Sequence, residues 1–144
     1  MEQNNIVETL NKMSQQTMVA HLGIEFTEVG PDFVCAKMPV DARTVQPFGL
    51  LHGGASVALA ETLGSIASAL QVDINQKVCV GLDINANHLR SARSGYVHGT
   101  ARPIHLGRRT HVWEIKIVDD ADKMISISRL TVMVLDRDEL TSKE

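Results

Sequence analysis

Gln46–Ser65 reads QPFGLLHGGASVALAETLGS. After the paired glycines the residues are small or apolar almost without a break, the pattern of a helix buried on nearly every side. Glu61 interrupts that pattern with a carboxylate that has no basic residue beside it. Burying such a group ionised and unpaired costs roughly several kcal/mol unless it is hydrogen-bonded or takes up a proton. The plainer explanation is that Ser65, one turn on along the same face, with Thr62 and Ser68, supplies hydroxyls and nothing more. Three features weigh against it. His52-Gly53-Gly54 stands at the helix start, where glycine lets a ligand approach the backbone and where the first amides are unpaired and carry the positive end of the dipole. That arrangement stabilises a developing oxyanion. Gln46 and His52 bring further polar groups to the same end. Glu61, nine residues beyond His52, lies about 13 Å along the axis at ~1.5 Å per residue, too far to serve the reaction centre of its own Gly53. Two such helices, antiparallel across a two-fold axis, would set Glu61 of one copy opposite Gly53 of the other.

Working outward, Asn5–Gln16 has Ile6, Leu10 and Met13 at helical spacing, and Met18–Leu22 runs into Gly23, a stop signal. IEFTEV (24–29) alternates, with Ile24, Phe26 and Glu28 on one phase and Glu25, Thr27 and Val29 on the other. Gly30-Pro31-Asp32 is a turn, and Phe33–Val40 reads as the second arm of a hairpin. Asp41–Phe48 is a loop, and Gly53–Leu70 is the central helix. Its small residues would let a sheet close tightly around it. Val78, Val80, Leu82 and Ile84 then alternate with Cys79, Gly81, Asp83 and Asn85. Strands follow at Tyr96–Ile104, Thr110–Val118 and Met124–Leu135, with turns at Leu106–Arg109 and Asp119–Asp122. Trp113 alternates with Ile115 and Ile117, a core-facing pattern. The order is helix, two strands, long helix, four strands. It fits an α+β fold in which one curved antiparallel sheet wraps a long central helix, leaving an unprotected edge for a second subunit.

The totals are consistent with this. With 144 residues, one domain spanning 1–144 is expected. Hydrophobic residues at 44% suffice for a core, but aromatics at 3% mean that aliphatic side chains must build it. A net charge of −3 argues against nucleic acid as a partner. Cys35 and Cys79 stand singly, as reduced thiols of a cytoplasmic protein would. The polar, acidic N-terminus is no signal peptide, and no apolar run is long enough to span a membrane. No metal site is expected, because the histidines are dispersed over strands without ligand spacing.

QPFGLLHGG with Glu61 and Ser65 at this spacing, together with GLDINANHLR (81–90) and HLGRRTHVW (105–113), resembles the hotdog-fold acyl-CoA thioesterases. The subgroup it looks like is the bacterial aroyl-CoA type that includes the 4-hydroxybenzoyl-CoA and 1,4-dihydroxy-2-naphthoyl-CoA thioesterases. The resemblance implies hydrolysis of an aromatic acyl-CoA. The Gly53 amide would polarise the thioester carbonyl, and Gln46 and His52 would hold the acyl end. Glu61 of the neighbouring chain would attack the carbonyl carbon or activate a water, and Ser65 would orient the attacking group. It also implies a homodimer at least, and usually a homotetramer of two dimers, with no cofactor beyond the coenzyme A carried by the substrate. Val45, Phe48, Leu51 and Leu59 are candidates for the acyl lining.

From Ile84 to Trp113 there is no acidic residue, while Arg90, Arg93, Arg102, Arg108 and Arg109 fall in that interval. Strand alternation disperses some of these over solvated faces. Arginine is nonetheless suited to phosphate. The resemblance places coenzyme A contacts at Gly81, at Asn87, His88, Leu89 and Arg90, and at His105, Leu106, Gly107, Arg108 and Arg109. Three other readings stay open: action on acyl groups held by a carrier protein, a dehydratase of the same fold using His52 as base, and an acyl-CoA-binding protein without activity.

Overall fold

Six strands form one antiparallel sheet curved around the helix that begins at Gly53. The computed structural model describes residues 2–141; Met1 and residues 142–144, the two ends of the domain expected over 1–144, lie outside the described residues. In chain order the elements are α1 (Gln3–Met13), α2 (Met18–His21), β1 (Glu25–Val29), β2 (Val34–Pro39), α3 (Gly53–Ala69), β3 (Lys77–His88), β4 (Tyr96–Leu106), β5 (Thr110–Asp119), β6 (Met124–Asp136) and α4 (Arg137–Thr141). The sheet order is β1-β2-β4-β5-β6-β3. α4 has no counterpart in the sequence reading; Asp138 and Glu139 in its first turn suit the positive end of a helix dipole. No helix among the described residues is long and apolar enough to cross a membrane.

α3 presses one face into the concave side of the sheet. Leu59, Ala60 and Leu63 are fully buried there, with Ala55, Ser56, Gly64, Ala67 and Ser68. The approach is close enough to require glycine: a Cβ at Gly64 would lie 2.5 Å from Leu130 Cδ2, and one at Gly99 would lie 2.6 Å from Leu63 Cδ1. The opposite face of α3, carrying Val57, Ala58, Glu61, Thr62, Ser65 and Ile66, is only half-buried. A helix apolar all round is therefore covered by its own chain on one side only.

Two bulges overturn the simple alternation expected of the strands. In β1 the register shifts between Phe26 and Glu28, so Phe26 and Val29 are both buried and Glu28 is exposed. In β3 the register shifts between Gly81 and Asp83, with Leu82 as the extra residue, and Leu82 is exposed. Cys79 and Gly81 therefore share the helix-facing side with Ile84, Ala86 and His88, whereas strict alternation puts them on opposite sides.

The two sheet edges differ. The outer edge of β1 is blunted by α1: the Asn11 side chain accepts from Phe26 N (2.8 Å) and donates to Phe26 O (3.0 Å), as a neighbouring strand would. β3 pairs with β6 on one side, and its other edge is bare among the described residues over Lys77–His88.

Ser68 does not continue the polar stripe of α3. It faces the sheet, where its hydroxyl accepts from Trp113 Nε1 (2.6 Å) and bonds His111 Nδ1 (3.0 Å). Burial pushes the His111 pKa below its ordinary value; a backbone hydrogen bond with Gly107 opposes this, and His105 adds to it. Ser68→Ala strands two buried polar groups and is expected to cost about 1–3 kcal/mol in denaturant unfolding. Because the folded chain holds the His111 proton more weakly than the unfolded chain, this group's contribution is complete above about pH 6.5 and shrinks as the pH falls from there toward the folded-state value. His111→Gln should therefore flatten the acid side of the stability–pH curve.

Candidate active site

The site begins with the first turn of α3. His52 is the N-cap, with extended backbone (φ −69°, ψ 129°), and its Nδ1 accepts from Gly54 N at 2.8 Å. Its carbonyl takes the next two amides, Ala55 N (3.0 Å) and Ser56 N (3.2 Å). The N–H of Gly53 is left without an acceptor among the described residues. Since Nδ1 of His52 accepts, the neutral ring carries its proton on Nε2 and offers a donor there.

Gln46 enters from a tight loop held by Gln46 N to Leu50 O (2.8 Å), Gly49 N to Gln46 O (2.9 Å) and a bridge between Val45 and Leu51. Gly49 turns it with a left-handed φ of +81° that a side chain would resist. The Gln46 Oε1 accepts from Phe48 N, so the amide NH2 is the end free to donate. Gln46, Gly53 and Ser56 line a cleft of about 400 Å³ whose far wall is His88, Leu89 and Arg90. His88 lies so close that a Cβ at Gly53 would stand 2.9 Å from its Nε2. This cleft gathers donors.

Glu61 faces a different cleft. It measures about 590 Å³, is almost wholly apolar, and lies between the open face of α3 (Val57, Ala58, Ile66) and Met18, Leu22 and Ile24. The carboxylate is half-buried and has no hydrogen-bond or ion-pair partner among the described residues. The hydroxyls that might have satisfied it are otherwise placed: Thr62 Oγ1 donates to Ala58 O (2.7 Å), and Ser68 serves Trp113 and His111. Ser65 lines the same cleft one turn further on. Gly81 lies beside the carboxylate; a Cβ there would be 2.6 Å from Glu61 Oε1. The structure thus puts Gly81 next to Glu61 and away from Asn87–Arg90, with which the resemblance grouped it. Nothing in the sequence placed Gly81 beside Glu61, because the bulge that turns it inward is a property of the pairing.

The basic residues divide. Asn87 and His88 end β3 and Leu89 and Arg90 follow it beside the donor cleft, where Leu89 N bonds Ile125 O at 2.8 Å. His105 and Leu106 close β4, and Gly107, Arg108 and Arg109 form the turn into β5, beside the start of β3. There Lys77, Arg108 and Arg109 surround Asp136 and Glu139. The Lys77 hydrogen bond, its charge and the charges of Arg109 and Arg108 hold the Asp136 carboxyl below the usual carboxylate range. Arg109 O accepts from Val134 N, level with Cys79, so the two groups lie about 30 Å apart along β3 at ~3.3 Å per residue and one chain does not bring them together. Of the expected acyl lining, Leu51 borders the donor cleft and Val45 a small cleft beside His52. Leu59 is wholly core and Phe48 is 83% exposed. The lining contributed by Met18, Leu22 and Ile24 was missed because those residues read simply as helix and strand.

The thioesterase superfamily model matches residues 48–126. The chain is 54% identical over 129 residues to the 1,4-dihydroxy-2-naphthoyl-CoA hydrolase of Escherichia coli, covering 90% of this chain and 94% of that protein. It is 52% identical over 129 residues to the proofreading thioesterase EntH of Cronobacter turicensis, covering 90% and 93%. Among solved structures, the crystal structure of a Haemophilus influenzae thioesterase superimposes with a TM-score of 0.88 at 53% identity, covering 90% of each chain.

Gly81→Ala tests the Glu61 geometry. The added methyl meets the end of a movable side chain, so the fold should keep its thermal midpoint. The displaced carboxylate should lower turnover roughly 10- to 100-fold, as misplacement by about 1 Å does.

Proposed function

The chain belongs to the thioesterase superfamily and is a thioester hydrolase of hotdog fold, and from that premise we propose that it cleaves an aromatic acyl-CoA in sites shared between two copies. The observation that carries this reading is the separation of complementary half-sites. Free donors, the Gly53 N–H and the Gln46 amide, line one cleft, and an unpartnered carboxylate, Glu61, lines another. Eight residues divide them along α3, about 12 Å at ~1.5 Å per residue. The bare edge of β3 supplies the means of joining two copies, and a two-fold across it sets the helices antiparallel.

In the joined site the thioester carbonyl oxygen accepts from Gly53 N–H, with Gln46 and His52 donating beside it. Glu61 of the second copy attacks the carbonyl carbon. The C–S bond breaks, coenzyme A leaves as the thiolate, and the acyl group remains as a mixed anhydride. Water then hydrolyses the anhydride to the free acid and restores the carboxylate. The apolar walls around Glu61 strip it of water and so raise its reactivity. Activation of a water by Glu61 is the alternative route to the same products. Ser65 orients the attacking group. The relative named as a 1,4-dihydroxy-2-naphthoyl-CoA hydrolase favours a naphthoyl-type acyl group, the subgroup resemblance adds the benzoyl type, and the apolar cleft of about 590 Å³ has room for one. Arg90 receives a phosphate of coenzyme A beside the donor cleft. Arg108 and Arg109 reach the same cofactor tail only from another copy, and a dimer of dimers completes the assembly.

Complementation tests the sharing. Glu61→Ala and Gln46→Ala are each expected to lose about 100-fold or more in turnover. Random equimolar reassembly of the two should restore about a quarter of the wild-type activity, because half the dimers carry one intact site. Mixtures no more active than the separate variants would place Glu61 in its own chain's reaction and end the shared-site reading. Single turnover in 18O water bears on the route: label entering Glu61 marks carboxylate attack with the anhydride opened at the Glu61 carbonyl, and its absence counts against that route.

A further inference from the structure

The strand register sets His88 of β3 directly opposite Ser126 of β6, and Ser126 opposite Ile117 of β5. Residues paired in this way point to the same face, with Cβ atoms about 4.5–5.5 Å apart. Here that face is the one toward α3. Ser126 is fully buried, and the exposed His88 sets its Nε2 where a Cβ at Gly53 would be 2.9 Å away. The Ser126 Oγ has no hydrogen-bond partner among the described residues. The His88 ring also has none among the described residues. An unpaired buried hydroxyl costs about 1–3 kcal/mol, and native proteins normally satisfy such a group through an ordered water. Across the ladder the polar neighbour of Ser126 is His88. Ser128, whose Oγ is likewise unpaired, is opposite Ala86 and Ile115 and has no such neighbour.

We propose that Ser126 is a positioning residue for His88, its hydroxyl holding the imidazole through one internal water. In this arrangement the Ser126 hydroxyl donates to the water, and the water donates to Nδ1, the ring nitrogen nearer the strand. The proton then stays on Nε2, the atom that faces Gly53. His88 so held presents a further donor at the wall of the donor cleft. This deepens the reading of that cleft as the carbonyl site and rests on it for its kinetic consequence, but the structural core of the inference does not depend on turnover.

The test uses the whole protein and the variants Ser126→Ala, Ser126→Thr and Ser128→Ala. In 15N–1H spectra of the imidazoles, the wild type is expected to show His88 as a single Nε2–H tautomer. Ser126→Ala should mix the tautomers, while Ser126→Thr, which keeps the hydroxyl, and Ser128→Ala, which removes the uninvolved one, should leave the wild-type signature. Ser126→Ala should also lower kcat about 5- to 10-fold with little change in KM, the mark of a donor acting in the transition state. In a His88→Ala background the same change should have no further effect. Should the spectra behave as expected while neither His88→Ala nor Glu61→Ala alters thioester cleavage, the proposed reaction fails and the positioning stands. A wild-type tautomer pattern in Ser126→Ala, accompanied by a raised thermal midpoint from removal of a truly unpaired hydroxyl, overturns the proposal.

Discussion

The closeness of α3 to the sheet is the constraint from which the rest follows. Side chains larger than hydrogen at Gly64 and Gly99 would collide with Leu130 and Leu63. With so little space, the core is made of Leu59, Ala60 and Leu63 on the helix and Trp113, Ile115, Ile117 and Leu130 on the strands, all without exposed surface. Each large aliphatic side chain buried in this way contributes about 1.5–3 kcal/mol. The Ser68–Trp113–His111 cluster locks the far end of the helix by hydrogen bonds that water cannot replace. A helix held this firmly presents its first turn in one position.

In the proposed reaction, that first turn would turn rigidity into chemistry. An oxyanion donor is useful only if it need not reorganise during the reaction. The cap by His52 occupies the three amides that follow, at Gly54, Ala55 and Ser56, and leaves that of Gly53 open among the described residues. The Gln46 loop does the same with its side-chain amide, fastening the oxygen to Phe48 N and freeing the NH2. In both places a local hydrogen bond fixes the group by consuming the acceptor and leaving the donor.

The carboxylate follows from the other half of the architecture. The face of α3 that the sheet does not cover carries Glu61 in an apolar cleft, beside an edge strand whose outer edge is unpaired among the described residues. Asn11 closes the opposite edge, so the sheet can be extended in one direction only. An unpartnered carboxylate, an apolar helix face and an open strand edge are each costly in isolation. The proposed symmetric association across β3 would relieve all three together.

The sequence by itself determined the order of elements, the long small-residue helix and the grouping of Gln46, His52 and Gly53 at its start. Each of these depends on local spacing: helical and strand periods, glycine at a turn, a cap before an apolar run. The family was equally legible, because QPFGLLHGG and the Glu61–Ser65 interval are contiguous in the chain. Only the tertiary structure decided which side of each strand faces the helix. The bulges after Phe26 and at Leu82 invert the alternation from that point on, and a bulge is fixed by pairing with a neighbour distant in sequence. The placement of Gly81 beside Glu61, the opposition of Ser126 and His88, and the separation of Arg90 from Arg108 and Arg109 along β3 are likewise facts of register. Composition can say that arginines are numerous between two acidic residues. Where they stand relative to one another depends on strand direction and length, and no local pattern contains that information.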